Sequence, residues 1–197
     1  MVLVAVAGSP LSVDLSHHSK ADHAVELSGM QLDQLRANIG TGPTRHFIEA
    51  DFLDPASTDS DFDVIYAHAV VHHFRYLDVL LDASRDKLVP GGQMITYDPC
   101  QTWLPIRLFR ALFRPFQSDA AWEFPLTRPA MNSIETRFLV SHRLGVFNRG
   151  KWALILGIFA PKLAQKHGDR LFLADFEPGA DTRLTSSLHV SYDLRKP

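Results

Sequence analysis

Through its first hundred residues the chain alternates short extended apolar runs with stretches of helical periodicity, and each run closes on a Gly, Pro, Asp or Ser cluster. That alternation constrains the fold strongly. Each helix must carry the chain back over the sheet before the next strand begins, so the strands lie parallel and the fold is α/β. The spacing predicts strands at 2–7, 22–27, 44–49, 62–67 and 93–97, and helices at 10–17, 29–39 and 76–87. Pro90-Gly91-Gly92 predicts a turn before the fifth strand.

After Pro99 the texture changes to Trp, Phe, Arg and Pro without strand and helix alternation, which reads as elaboration upon the sheet. The chain is therefore expected to be one domain over 1–197, with 1–99 as its sheet half and 100–197 as a cover and the last strands. Segments 136–144 and 188–194 are expected to pair as an antiparallel hairpin closing the sheet edge. A helix at 152–166 lies between them, interrupted or restarted at Pro161. A chain of 197 residues, 46% hydrophobic, can bury a core without a staple. Its single cysteine, Cys100, excludes an internal disulfide framework and leans toward a cytoplasmic setting. Twenty basic against 22 acidic side chains argue against a nucleic-acid partner. No apolar run reaches the roughly 18 residues of a membrane span, and the apolar start lacks the basic flank of a signal peptide.

Three features fall at the ends of successive strands, where an open α/β sheet binds its ligand. Gly8 lies in the turn that follows the first strand. Glu26 ends the second strand eighteen residues later, near the offset of a carboxylate that accepts hydrogen bonds from both ribose hydroxyls. Asp51 follows the third strand and can accept from an exocyclic amine, while Phe52 or Leu53 lies against a flat ring. Taken singly, each carboxylate is more often a turn or capping residue, and Glu26 competes with Ser28 as the cap of the next helix. Their order and spacing together favour the ligand reading.

These residues, with Asp61-Phe62-Asp63-Val64-Ile65-Tyr66-Ala67-His68 running on to Val71-His72-His73-Phe74 and then Leu88-Val89-Pro90-Gly91-Gly92, resemble the class I S-adenosylmethionine-dependent methyltransferases. The small-molecule branch, with its quinone-biosynthesis and sterol-type enzymes, is the nearest in pattern. The resemblance implies a three-layer Rossmann-like fold, its central sheet mostly parallel with an antiparallel edge strand, and S-adenosylmethionine as cofactor. It implies that Gly8 belongs to the cofactor turn, that Glu26 with Leu27 meets the ribose, and that Asp51 with Phe52 meets the adenine. It also implies that the backbone of Ala67 and His68 lies beside the methionine moiety. Where the family turn has an acidic residue and three glycines, this chain has Val4, Val6, Gly8 and Pro10. The expected reaction is methyl transfer to O or C of a small, largely apolar acceptor; a catalytically silent binding or regulatory subunit is the alternative. A nicotinamide oxidoreductase is disfavoured because no Gly-x-Gly-x-x-Gly follows the first strand.

Ten histidines invite a metal, but His17-His18 and His72-His73 are adjacent and point in different directions, and no Cys or His-Glu-x-x-His pattern accompanies them. Metal is therefore not expected. His73 is nominated as orienting group or base for the acceptor, against the plainer reading that His68, His72 and His73 cap the helix after the fourth strand. Segment 103–116 places Arg107, Arg110 and Arg114 among Leu and Phe without any acid. It reads either as a helix resting at a membrane surface, peripheral to it, or as a lid with solvated arginines. The oligomeric state is not legible.

Overall fold

The computed structural model describes residues 2–5, 22–56, 60–116, 118, 121–177 and 182–197; Gly8 and the expected helix 10–17 lie outside them. Strands β1 (Val2–Ala5), β2 (Asp22–Glu26), β3 (Arg45–Glu49), β4 (Phe62–His68), β5 (Leu88–Pro99), β6 (Leu139–Val146) and β7 (His189–Arg195) form one sheet in the order β3-β2-β1-β4-β5-β7-β6. The first five run parallel. Strand β7 is antiparallel to both β5 and β6, so the reversed strand sits one place in from the edge, and the edge strand β6 points the same way as the first five. The order reverses between β1 and β4, the position where open α/β sheets form their ligand crevice.

Helices α1 (Gly29–Ile39), α2 (Leu77–Lys87), α3 (Leu104–Phe113), α4 (Arg128–Arg137), α5 (Gly150–Phe159) and α6 (Pro161–Leu173) complete the described elements, with 3-10 turns at Val71–His73 and Arg114–Phe116. Side-chain alternation shows the layering. Ala24 of β2 packs with Leu32 and Leu35 of α1, whereas its neighbour Val25 points to the opposite face and joins Phe62, Leu81, Ile134 and Tyr192. Helix α1 thus covers one face, and α2 and α4 cover the other, giving three layers. Phe62, Leu81, Ile134 and Tyr192 are fully enclosed, and burial of each such side chain stabilises the fold by roughly 1.5–3 kcal/mol.

Several element boundaries differ from those the pattern predicts. Pro90-Gly91-Gly92 lies inside β5: Phe62 pairs with Leu88 and Val64 with Gln93, so the extra residues form a bulge within the strand. Gly91 adopts φ 75° there, and a Cβ on Gly92 would meet the Val89 carbonyl at 2.9 Å; both positions need glycine. Residues 136 and 137, expected to extend, finish helix α4 instead. Thr127 caps that helix by accepting from the Ala130 N–H at 3.3 Å, and Met131 and Ile134 bury its inner face. Pro161 begins α6, because a proline without an N–H fits the first turn of a helix. No described helix is long and apolar enough to cross a membrane.

Candidate functional site

A cavity of about 630 Å³ opens at the carboxyl ends of β2, β3 and β4, within the range usual for small-molecule sites. Its walls bring together Glu26, Leu27, Asp51, Phe52, Ala67 and His73, six of the eight residues expected at the site. The strand registers cause this convergence. Glu26 pairs with Glu49, the Ala50 N–H donates to the Glu26 carbonyl at 3.1 Å, and Ala67 pairs with Ala5 of β1. Three strand tips therefore end at one level. Val25, Ile65, Leu80 and Met94 form an apolar floor beneath them.

The Glu26 carboxylate is held by its own turn. Its Oε1 accepts from the N–H of Leu27 at 2.8 Å and of Ser28 at 3.4 Å, while among the described residues Oε2 makes no hydrogen bond. Ser28 occupies the N-cap position of α1 without a side-chain cap bond. Glu49 approaches that same helix end, since a Cβ on Gly29 would lie 2.9 Å from Glu49 Oε2. Asp51 accepts from the Leu53 N–H at 2.9 Å and so fixes the loop after β3. Phe52 is buried, with Lys87 Nζ 5.6 Å from its ring centre and its ring also lining the cavity. Each carboxylate thus accepts from the backbone of its own turn through one oxygen.

His73 stands at the cavity rim with Nδ1 3.0 Å from the Trp122 carbonyl. A carbonyl only accepts, so Nδ1 carries the proton and Nε2 presents its lone pair in the neutral ring. The partner segment is itself strapped over the strand ends: the Phe124 N–H donates to the His72 carbonyl at 2.6 Å, and the Leu126 N–H to that of Pro99 at 2.9 Å. His68 does not line this cavity. Its ring lies on the opposite face of β4, stacked on Tyr97 at 5.0 Å, and Tyr97 in turn meets His189.

Sequence reasoning missed a polar group just beyond the 71–73 turn. Asp98, fully buried near the end of β5, accepts through Oδ1 from both the backbone N–H of His72 at 3.1 Å and its Nδ1 at 2.8 Å. The buried atoms Asp98 Oδ2, Arg110 Nη1 and His189 Nδ1 make no hydrogen bond among the described residues. A Tyr-Asp-Pro ending to the fifth strand was the available signal, because an acid inside an apolar strand needs a partner. Arg110 corrects the lid reading of 103–116: it faces inward, and desolvation lowers its guanidinium's proton affinity.

Burial pushes the His189 imidazole down to about 4, assisted by Arg110, His72 and His68. A histidine in the unfolded chain titrates near 6.5, so the unfolded state takes up the proton first, and native stability falls as pH drops from about 6.5 toward 4. With an allowance for its partial exposure, the loss is about 2 kcal/mol. Urea unfolding of His189→Phe is expected to show this part of the acid sensitivity removed, since the orphan Nδ1 gives up no bond. An identical pH profile in that variant would assign the sensitivity elsewhere.

Strand order and the position of the cavity define a Rossmann-like α/β protein with its crevice at the switch point. Residues 6–96, just under half of the chain, match the family model described as a methyltransferase domain. No curated protein matches the sequence. Among solved structures, the N-methyltransferase NodS of Bradyrhizobium japonicum WM9, in complex with S-adenosyl-L-homocysteine, is 11% identical with a TM-score of 0.63 over 100% of this chain and 77% of its own. The cyclopropane synthase MmaA2 of Mycobacterium tuberculosis is 14% identical with a TM-score of 0.65 over 100% and 78%. The [4+2]-cyclase SpnF is 14% identical with a TM-score of 0.62 over 100% and 75%. The chain shares the fold of these structures, and its strand-rich half matches the methyltransferase-domain model.

Proposed function

We propose that the protein transfers a methyl group from S-adenosylmethionine to an O or C atom of a small, largely apolar acceptor. The observation that carries this reading is the gathering of Glu26, Asp51, Phe52, Ala67 and His73 around one cavity with an apolar floor. The residues fit the cofactor. The unengaged Oε2 of Glu26 suits a ribose hydroxyl, the exposed carboxylate of Asp51 an exocyclic amine, and the apolar floor a purine face. Gly8 would serve the turn beneath the nucleoside, Leu27 would flank the ribose, and the backbone of Ala67 and His68 would border the methionine end. When bound, the cofactor supplies an electrophilic methyl group on a sulfonium.

With the leaving group supplied in that way, the chain's own contribution is orientation and exclusion of water. His73 accepts the acceptor's hydroxyl or enol proton at Nε2 while the Trp122 carbonyl holds the ring. Isothermal titration with S-adenosylmethionine and S-adenosylhomocysteine is expected to give micromolar binding, and absence of heat and of any thermal shift at millimolar ligand would sink the reading. With a phenolic or enolic acceptor that turns over labelled methyl groups, His73→Gln is expected to lower kcat at least tenfold and leave the cofactor's Kd unchanged. Unaltered turnover would remove His73 from the reaction.

A further inference from the structure

Helix α3 is built with its polarity reversed. Its inward positions are Ile106 and Arg110, whereas Leu104, Leu108 and Leu112, four residues apart, form an outward stripe continued by Phe116. Leu108 is 58% and Leu112 72% exposed. Apolar area on this scale, turned to water while a guanidinium is turned in, marks a surface that is covered when the protein works.

Helix α5 repeats the arrangement. Lys151 is buried and its Nζ donates to the Ser186 carbonyl, while Ile158 and Phe159 are 70% and 82% exposed. The two helices are fixed together at their starts. Trp103 meets Trp152 edge-on at 6.2 Å, and Lys151 Nζ sits 4.6 Å from the Trp103 ring. They form one platform rather than two loose segments.

Charge identifies what the platform meets. Neither α3 nor α5 contains an acid, Arg107 and Arg114 are exposed beside the leucine stripe, and Lys162, Lys166 and Arg170 recur every fourth residue, exposed, along α6; Asp169 is the one acid of these three helices. This excess lies in a chain whose net charge is -2. A groove of about 590 Å³ between α3 and the start of α4 joins the two properties, with Leu104 and Leu108 beside Arg107 and Arg128. A groove that sets two leucines beside two guanidinium groups matches a phosphodiester carrying an acyl chain. Each helix has at most thirteen residues, so the platform lies in the interface plane and does not span.

We infer that the α3, α5 and α6 surface docks the protein on an anionic lipid bilayer, with the apolar residues inserted among the acyl chains and the arginines and lysines at the headgroup phosphates. The inference stands on this surface and not on the identity of the acceptor.

The test is flotation of the full chain with phosphatidylcholine vesicles and with vesicles of three parts phosphatidylcholine to one of phosphatidylglycerol. The wild type is expected to float with the anionic vesicles and to remain below with the neutral ones. Leu108→Asp/Leu112→Asp and, separately, Ile158→Asp/Phe159→Asp are expected to weaken binding at least tenfold with unchanged melting temperature, since these side chains carry no core packing. Arg107→Ala is expected to weaken it about fivefold at low salt. Wild-type protein that stays below with anionic vesicles at low ionic strength overturns the inference, as does flotation unaffected by the leucine substitutions. So does a dimer by analytical ultracentrifugation that the same substitutions dissociate, for then a second copy covers the platform.

Discussion

Glu26→Ala is expected to raise the dissociation constant for S-adenosylhomocysteine by about 10- to 150-fold, corresponding to the roughly 1.5–3 kcal/mol of a hydrogen bond to a charged group. The structural reason is the division of labour within the carboxylate. Oε1 accepts from the Leu27 and Ser28 N–H groups, Oε2 accepts from none of the described residues, and Glu26 lines the cavity. Leu27 is itself largely exposed, so water replaces the lost turn bonds and the variant should fold normally. Glu26→Gln keeps an acceptor for the turn but loses the charge, and should fall between wild type and alanine. Calorimetric titration of the three proteins checks the series, and an unchanged constant in the alanine variant removes Glu26 from cofactor binding.

Asp98→Ala is expected to lower the unfolding free energy by about 2–5 kcal/mol, because two buried donors of His72 then lose their acceptor, each at a cost of about 1–3 kcal/mol. Asp98 is fully enclosed there. Asp98→Asn retains an oxygen for both donors and should recover most of the loss. The measurement is the urea midpoint at constant m-value. A change below about 0.5 kcal/mol would mean that the 71–73 turn is held by its packing alone. The variant also reaches the site, since that turn carries His73 to the cavity rim.

Where one element's pattern is self-contained, the sequence was legible. Helix α1 has the predicted limits, and β2, β3 and β4 lie within a residue or so of theirs, because strand tips in a parallel sheet are marked by turn residues and the helices by their spacing. The strand-tip carboxylates could be found for the same reason: chain position fixes which end of the sheet a residue reaches. Asp98 and His189 could not be found this way. Their environment is made by β5 and β7, nearly a hundred residues apart and paired only in the finished sheet. The inward turn of Arg110 was equally hidden, since a helix wheel gives relative direction and not which side meets the core. Helix α4 went unread although Thr127, Pro129 and the Met131 and Ile134 pair mark it, because Thr136 and Phe138 suggested extension too early.

Strand β7 fills the slot between β5 and β6, yet it is the last element in chain order. During synthesis, a nascent chain that has not yet released residues 189–195 from the ribosome therefore holds two facing strands with unpaired backbone edges, each a template for another chain. Cooperative closure awaits the final strand, whose pairings span long sequence distances and so form slowly. Any agent that shields exposed edges during that interval would govern how much of the newly made protein reaches its working form.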